Sequence, residues 1–311
     1  MSYVKLLNKI KEYEKITIYK HVKPDGDCVF SSLALYQFLK DNFPKKQIKI
    51  VGKEEFDLIN VNNKCSDSFI QKSLGISLDT ATSDRIDDFR ALACAYLIKI
   101  DHHPLLDDFG DINIVNENAS STCELLADIF LSKIFKQYIL SKTTCKHLYC
   151  GMVTDTLNFK TTNTTAKTFN TASKIISKGE LNPSDLTEYV MNYSYDTFVF
   201  RSKIRNYFKV NNKFGYIKLS KKDLDKIGIS AKIAKTYIDE IGCIKDINIW
   251  AIAVEEAKLW DVSLRSKRGY IINKIAAKYN GGGHANAAAT KKLSNKQLSQ
   301  LFNELYNLAL K

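Results

Sequence analysis

The chain has 311 residues, enough for two domains of ordinary size, and an apolar content of 45% that can fill packed cores. It contains no run of about eighteen apolar residues, which excludes a helical membrane span, and M-S-Y-V-K-L-L-N-K-I lacks the apolar core and small-residue cleavage site of a secretory leader, so a cytoplasmic protein is expected. The formal net charge of +12 is unevenly placed: Lys and Arg balance Asp and Glu over residues 1–190, and residues 191–311 carry the whole excess, as in surfaces that attract anions.

In chain order, I-T-I-Y-K-H-V (16–22) reads as a strand, 28–40 as a helix, I-K-I-V-G (48–52) as a strand, and 95–100 and 112–115 as two more. Helical patterns follow over about 121–138, 143–154 and 164–178. Strands alternating with helices predict an α/β domain whose mostly parallel sheet is flanked by helices and binds ligands beyond the carboxyl ends of its strands. After Asn182-Pro183-Ser184 the pattern turns polar and aromatic, with Ser184 and Asp185 as candidate N-caps of a connecting helix. A second set then begins: a strand from Phe214, a hairpin from 247–255 and 258–266, a helix near 271–278, a glycine run, and a helix near 294–309. The expected layout is therefore an α/β domain over 1–190, a linker helix over 191–210, and a smaller α/β domain with a mixed sheet over 211–311.

Seven cysteines, none in a C-x-x-C pair, argue against a disulfide framework or a structural zinc site. Four of the five histidines lie in dense motifs. H-V-K-P-D-G-D places His21, Asp25 and Asp27 at the tip of a strand, where Pro24 and Gly26 enforce a turn; the same residues would also serve as caps of the next helix. I-K-I-D-H-H puts Asp101, His102 and His103 directly after a strand, an arrangement with few structural uses. S-L-D-T-A-T-S-D-R-I carries Asp79 after a weak, partly polar strand, and G-M-V-T-D-T carries Asp155 after an apolar helical stretch; each is a weak signal alone. Asp84, Asp87 and Asp88 read as an exposed acidic helix start. Together, four aspartates and up to three histidines make the donor set of two divalent cations about 3.5–4 Å apart. Carboxylates crowded in this way repel one another unless cations neutralise them. Phosphoester hydrolysis is the default chemistry of such a centre. In the C-terminal half, Gly281, Gly282 and Gly283 let the backbone approach a ligand closely, His284 adds a donor, and Arg265 can clamp a phosphate with two parallel hydrogen bonds.

H-V-K-P-D-G-D, L-D-T-A, D-H-H and V-T-D-T, in this order, resemble the four motifs of the DHH phosphoesterases. R-S-K followed by N-K-I-A-A-K-Y-N-G-G-G-H-A-N-A-A-A resembles the DHH-associated domain. The resemblance covers nearly the whole chain and is strongest to the compact subgroup of nano-RNases that also dephosphorylate adenosine 3′,5′-bisphosphate (pAp). It implies that His21, Asp25 and Asp79 hold one ion, that Asp27, Asp79, His102 and Asp155 hold the other with Asp79 bridging, and that His103, beside Asp101, faces the scissile phosphate. It further implies two divalent ions, with Mn²⁺ expected, and short single-stranded oligonucleotides or small nucleotides (pAp, pApA, cyclic di-AMP) as partners, gripped from both sides of an interdomain cleft; a homodimer is left open. Cleavage of cyclic di-AMP or pApA is the alternative activity, and a nucleic-acid-binding module without catalysis is the rival class. Such a module would lack one of the metal-site residues, and all are present. Two residues depart from the family pattern. Cys28 stands where Ala is more usual, and Phe30 stands where Gly is usual and either narrows the approach to the metals or packs on the sheet.

Overall fold

The computed structural model describes residues 2–52 and 65–311, which divide into two compact units, Met1–Asn192 and Tyr193–Lys311. The first unit opens with α1 (Ser2–Glu12), β1 (Lys15–Tyr19), α2 (Gly26–Asn42), β2 (Gln47–Val51), a short α3 (Asp67–Ile70), β3 (Leu74–Leu78), β4 (Tyr96–Asp101) and β5 (Ile112–Val115). Helices α4 (Thr122–Leu131), α5 (Lys142–Asp155), α6 (Ala166–Gly179) and α7 (Pro183–Met191) complete it. The five strands pair in parallel in the order β2-β1-β3-β4-β5. A sheet covered on both faces needs strands apolar on both faces, and β3, L-G-I-S-L, is buried at every position. Its polar look has a packing cause: a Cβ at Gly75 would stand 2.7 Å from Cys94 Sγ and 2.9 Å from Leu97 Cδ1, so these two side chains pack in the space that a larger residue would take. The strand order reverses direction between β1 and β3, the switch point at which open α/β sheets bind ligands.

Several boundaries differ from the sequence reading. The first strand stops at Tyr19, and His21 makes only an isolated antiparallel bridge with Ile86. Helix α4 ends at Leu131, capped by Ser132, although the apolar pattern runs on to Phe135 and Tyr138, which pack on the core from a turn. The cap of α7 is Asn182, whose side chain accepts from the Ser184 amide, with Pro183 in the first turn, in place of Ser184 or Asp185. Asp87 and Asp88 are buried, whereas Asp84 is exposed in a 3₁₀ turn at Ser83–Arg85. Asp87 pairs with the fully buried Lys20, and Asp88 caps a 3₁₀ turn at Phe89–Ala93 while holding the Arg90 guanidinium at 2.7 Å. Phe30 packs in the main core beside His147, with ring centroids 6.2 Å apart; it fills the space between α2 and α5.

The second unit comprises α8 (Tyr195–Arg205), β6 (Phe208–Asn211), β7 (Phe214–Leu219), α9 (Lys221–Ile227), α10 (Ala231–Lys235), β8 (Ile249–Glu256), β9 (Leu259–Ser266), α11 (Asn273–Ala277), β10 (Gly282–His284), β11 (Ala287–Leu293) and α12 (Asn295–Ala309). The residues expected to form one linker helix thus hold α8 and most of β6. The sheet is mixed, in the order β10-β11-β9-β8-β7-β6, with only β7 and β8 parallel. The β8–β9 hairpin closes through Ala257 and Lys258, both at positive φ, the conformation that two-residue hairpin turns demand. The glycine run is no free loop: Gly282, Gly283 and His284 form an edge strand on Ala289, Ala288 and Ala287.

Candidate metal centre

Each candidate side chain of the first unit stands at a strand or helix end. His21 lies just beyond β1, Asp79 directly follows β3, and Asp101, His102 and His103 close β4. Asp25 and Asp27 sit at the start of α2, and Asp155 ends α5. The tertiary structure gathers them. His21 Nε2 is 3.8 Å from Asp25 Oδ2 and 3.7 Å from Asp79 Oδ2, and His102 Nε2 is 3.6 Å from Asp79 Oδ1 and 3.7 Å from Asp155 Oδ2. The two oxygens of Asp79 therefore face different histidines.

Local hydrogen bonds aim these donors. His21 Nδ1 donates to the Val22 carbonyl (2.9 Å) and His102 Nδ1 to that of Ala119 (3.3 Å), which turns both Nε2 atoms toward the carboxylates. Asp25 accepts from the Cys28 amide with Oδ1 and presents Oδ2. Asp27, almost fully buried, accepts from the Thr122 and Cys123 amides at 2.7 and 3.0 Å, so the open N-terminus of α4 anchors it. Asp79 adopts a left-handed φ of +53°, strained for a residue with a Cβ. Its backbone amide donates to the Ile100 carbonyl, and its Oδ1 accepts from Thr122 Oγ1 at 3.1 Å. His103 points its Nδ1 at Asp101 Oδ1, 2.8 Å away, and Asp101 Oδ2 is 3.6 Å from the buried ammonium of Lys99.

The electrostatics are those of an acidic cluster with too little positive charge. Burial, then repulsion from Asp79, Asp155 and Asp25, pushes the Asp27 carboxyl well above the usual carboxylate range. Burial, then Asp79 and Asp25, does the same to Asp155. Burial alone would raise Asp101 as well, but the His103 hydrogen bonds and the Lys99 cation hold it low. Burial disfavours the His103 cation, yet Asp101, Asp79 and Asp155 together raise its pKa.

These residues fit divalent cations. Donor–donor separations of 3.6–3.8 Å are too long for hydrogen bonds and match the spacing of two ligands that each stand about 2.0–2.2 Å from one ion. One donor atom from each of Asp27, His102 and Asp155 lies within 4.8 Å of the others, and the same holds for Asp79, His102 and His103 and for His21, Cys28 and Asp79. Sequence reasoning did not find Thr122, Cys123 and Lys99, which hold Asp27, Asp79 and Asp101 in place. The only signal for the first two is the S-T-C-E pattern of a helix start at Ser121–Glu124.

In the second unit, register sets Arg265 of β9 opposite Ala287 of β11, and Ala287 opposite His284 of β10. Directly paired residues share a face, so Arg265 and His284 flank a small alanine on one side of the sheet, two strands or about 9.5 Å apart. Along β9, Asp261, Ser263 and Arg265 form the half-exposed side, while Trp260, Val262 and Leu264 face the core. Gly281 and Gly283 are dictated by packing: a Cβ would stand 2.2 Å from the Ala289 carbonyl oxygen at the first and 2.4 Å from that of Ala287 at the second. Gly282 has open space around it.

Comparison with known proteins agrees with this arrangement. The model of the DHH family N-terminal domain matches residues 15–152, and that of the DHHA1 domain matches residues 211–309. The chain is 32% identical over 314 residues to the bifunctional oligoribonuclease and PAP phosphatase NrnA of Bacillus subtilis, covering 97% of both proteins. It is 25% identical over 305 residues to the cyclic-di-AMP phosphodiesterase PdeA of Listeria monocytogenes, covering 91% of this chain and 45% of that one. The crystal structure of an exopolyphosphatase-related protein from Bacteroides fragilis superposes with a TM-score of 0.87 at 26% identity, over 99% of this chain and 98% of the other. With its acidic centre at the carboxyl ends of a parallel sheet and both family domains in sequence, the chain belongs to the DHH family of phosphoesterases, its DHH domain followed by a DHHA1 domain.

Proposed function

We propose that this protein hydrolyses short oligoribonucleotides from the 3′ end and removes the 3′-phosphate of pAp, using two divalent ions, with Mn²⁺ the working metal. The observation that carries this reading is the convergence of Asp27, Asp79 and Asp155 with His21 and His102 in a chain so similar, end to end, to a protein of that double activity. His21, Asp25 and Asp79 hold one ion; Asp27, Asp79, His102 and Asp155 hold the other. When bound, such ions polarise the phosphoryl oxygens and lower the pKa of a water. His103, oriented by Asp101 and with its pKa raised by its acidic neighbours, carries a proton for a phosphoryl oxygen. Arg265, His284 and the Gly281–Gly283 backbone recognise a further phosphate of the substrate, which suits the positive charge of residues 191–311. A binding module without catalysis has no use for an intact, mutually aimed donor set. The experiment is a panel of pAp, pApA, cyclic di-AMP and RNA two- to ten-mers at fixed Mn²⁺. Turnover of pAp and a steep fall in rate from dimers to decamers are expected. Preferential cleavage of cyclic di-AMP would replace this reading with the activity of the Listeria relative, and no turnover with any cation would return the binding module.

A further inference from the structure

One donor near the acidic centre is unlike the rest. Cys28 lies in the first turn of α2, is fully buried, and sits between the ends of two strands. Its Sγ accepts from the His21 amide at 3.4 Å and approaches the Leu78 carbonyl at 3.9 Å, so it borders both His21 beyond β1 and Asp79 beyond β3. The sulfur, a His21 ring nitrogen and an Asp79 oxygen lie within 4.8 Å of one another. A metal–sulfur bond of about 2.3 Å and a metal–nitrogen bond of about 2.0 Å span most of that gap. Both hydrogen bonds of the sulfur are weak, and the thiol proton given to the Leu78 carbonyl is the one that a bound cation would displace. Nitrogen and oxygen donors alone suit Mn²⁺, whereas a sulfur donor favours Zn²⁺ and Co²⁺.

We propose that the Cys28 thiolate is a ligand of the ion held by His21 and Asp79, making this position a nitrogen, oxygen and sulfur site that binds Zn²⁺ or Co²⁺ more tightly than the Mn²⁺ that supports turnover. The inference rests on the two-ion reading above. It makes the two positions chemically unequal, because the set of Asp27, His102 and Asp155 contains no sulfur.

The test is a Co²⁺ titration of metal-free, full-length protein carrying Cys243→Ser, which removes the exposed thiol. Bound cobalt is counted while the absorption spectrum is recorded. Two cobalt ions per chain are expected, one of them bringing a sulfur-to-cobalt charge-transfer band. Cys28→Ala should abolish that band, Cys123→Ala should keep it, and the loss of Zn²⁺ affinity in Cys28→Ala should be at least roughly 10- to 100-fold, the worth of even an outer-shell partner, with Mn²⁺ affinity nearly unchanged. Two bound cobalt ions without the band in the parent protein would overturn the sulfur ligand and leave the two-ion centre standing, whether or not any Cys28 variant folds. Persistence of the band in Cys28→Ala would also overturn it. Failure to bind cobalt at all would overturn both readings.

Discussion

Asp101 accepts two hydrogen bonds from His103 with the same carboxylate oxygen, from Nδ1 at 2.8 Å and from the backbone amide at 3.2 Å. The fully buried Asp101 is thus occupied with its neighbour and orients the imidazole that faces the centre. In Asp101→Asn the shape survives and the charge is lost, so His103 holds its proton less firmly. Lys99 keeps the Ala81 and Asp107 carbonyls as acceptors, at 2.7 and 2.9 Å, and the fold should persist. Turnover should fall by about 10²- to 10⁴-fold, the usual share of general acid–base catalysis, with metal content and KM little changed. Steady-state kinetics with metal analysis check this, and a normal kcat would remove His103 from proton transfer.

Asp155 tests the ligand set from the opposite side. Activity should vanish with a chelator and return with Mn²⁺. Asp155→Ala should bind one ion fewer and lose activity while remaining folded. In metal-free protein it should even melt higher, because the repulsion that pushes the Asp27 and Asp155 carboxyls up is relieved. Relief of about 1 kcal/mol would raise Tm by about 2–4 °C. Metal counting and calorimetry of both metal-free proteins decide it; a full metal complement in the variant would reassign the ligand.

His147 lies away from the motifs, stacked on Phe30, and its buried Nδ1 makes no hydrogen bond. Burial, then the Lys146 cation, lowers its pKa to about 4, against about 6.5 in the unfolded chain. Between these values the unfolded state binds more protons, so stability rises with pH across this window and is lost as pH falls from about 6.5 to 4. The contribution at neutral pH is at most about 3 kcal/mol, at about 1.4 kcal/mol per pH unit. Urea unfolding of wild type and His147→Leu from pH 4 to 8 should give curves that diverge toward acid, the variant being flatter. Parallel curves would mean that the histidine titrates alike in both states.

Arg265 separates recognition from chemistry. Arg265→Ala should keep both metals and mainly raise KM for a substrate with a second phosphate. Charge-assisted phosphate hydrogen bonds are worth roughly 1.5–3 kcal/mol, so kcat/KM should fall about 10- to 150-fold on pAp. A small phosphodiester without that phosphate should be far less affected. Equal losses on both substrates, or loss of metal, would mean that Arg265 supports the centre or the fold.

Short-range chemistry made much of this protein legible in its sequence. Turn residues in H-V-K-P-D-G-D, a histidine pair behind a strand, and strand–helix alternation are local patterns, and they indicated the α/β fold, the family and the identity of the acidic and histidine residues that converge. What needed the tertiary structure was every pairing between distant segments. Asp27 is anchored by amides 95 and 96 residues away, and Lys20 meets Asp87 across 67 residues, which turns an apparently exposed acidic stretch into buried structure. The polar-looking β3 is a central strand because β1 and β4 cover its edges, and Phe30 belongs to the core because α5 lies against α2. Gly282 and Gly283 lie in an edge strand because β11 pairs with them, and only that pairing sets His284 in one row with Arg265. A residue's neighbours along the chain determine its turn or cap, but burial and hydrogen-bond partners come from packing between segments, which local sequence does not encode.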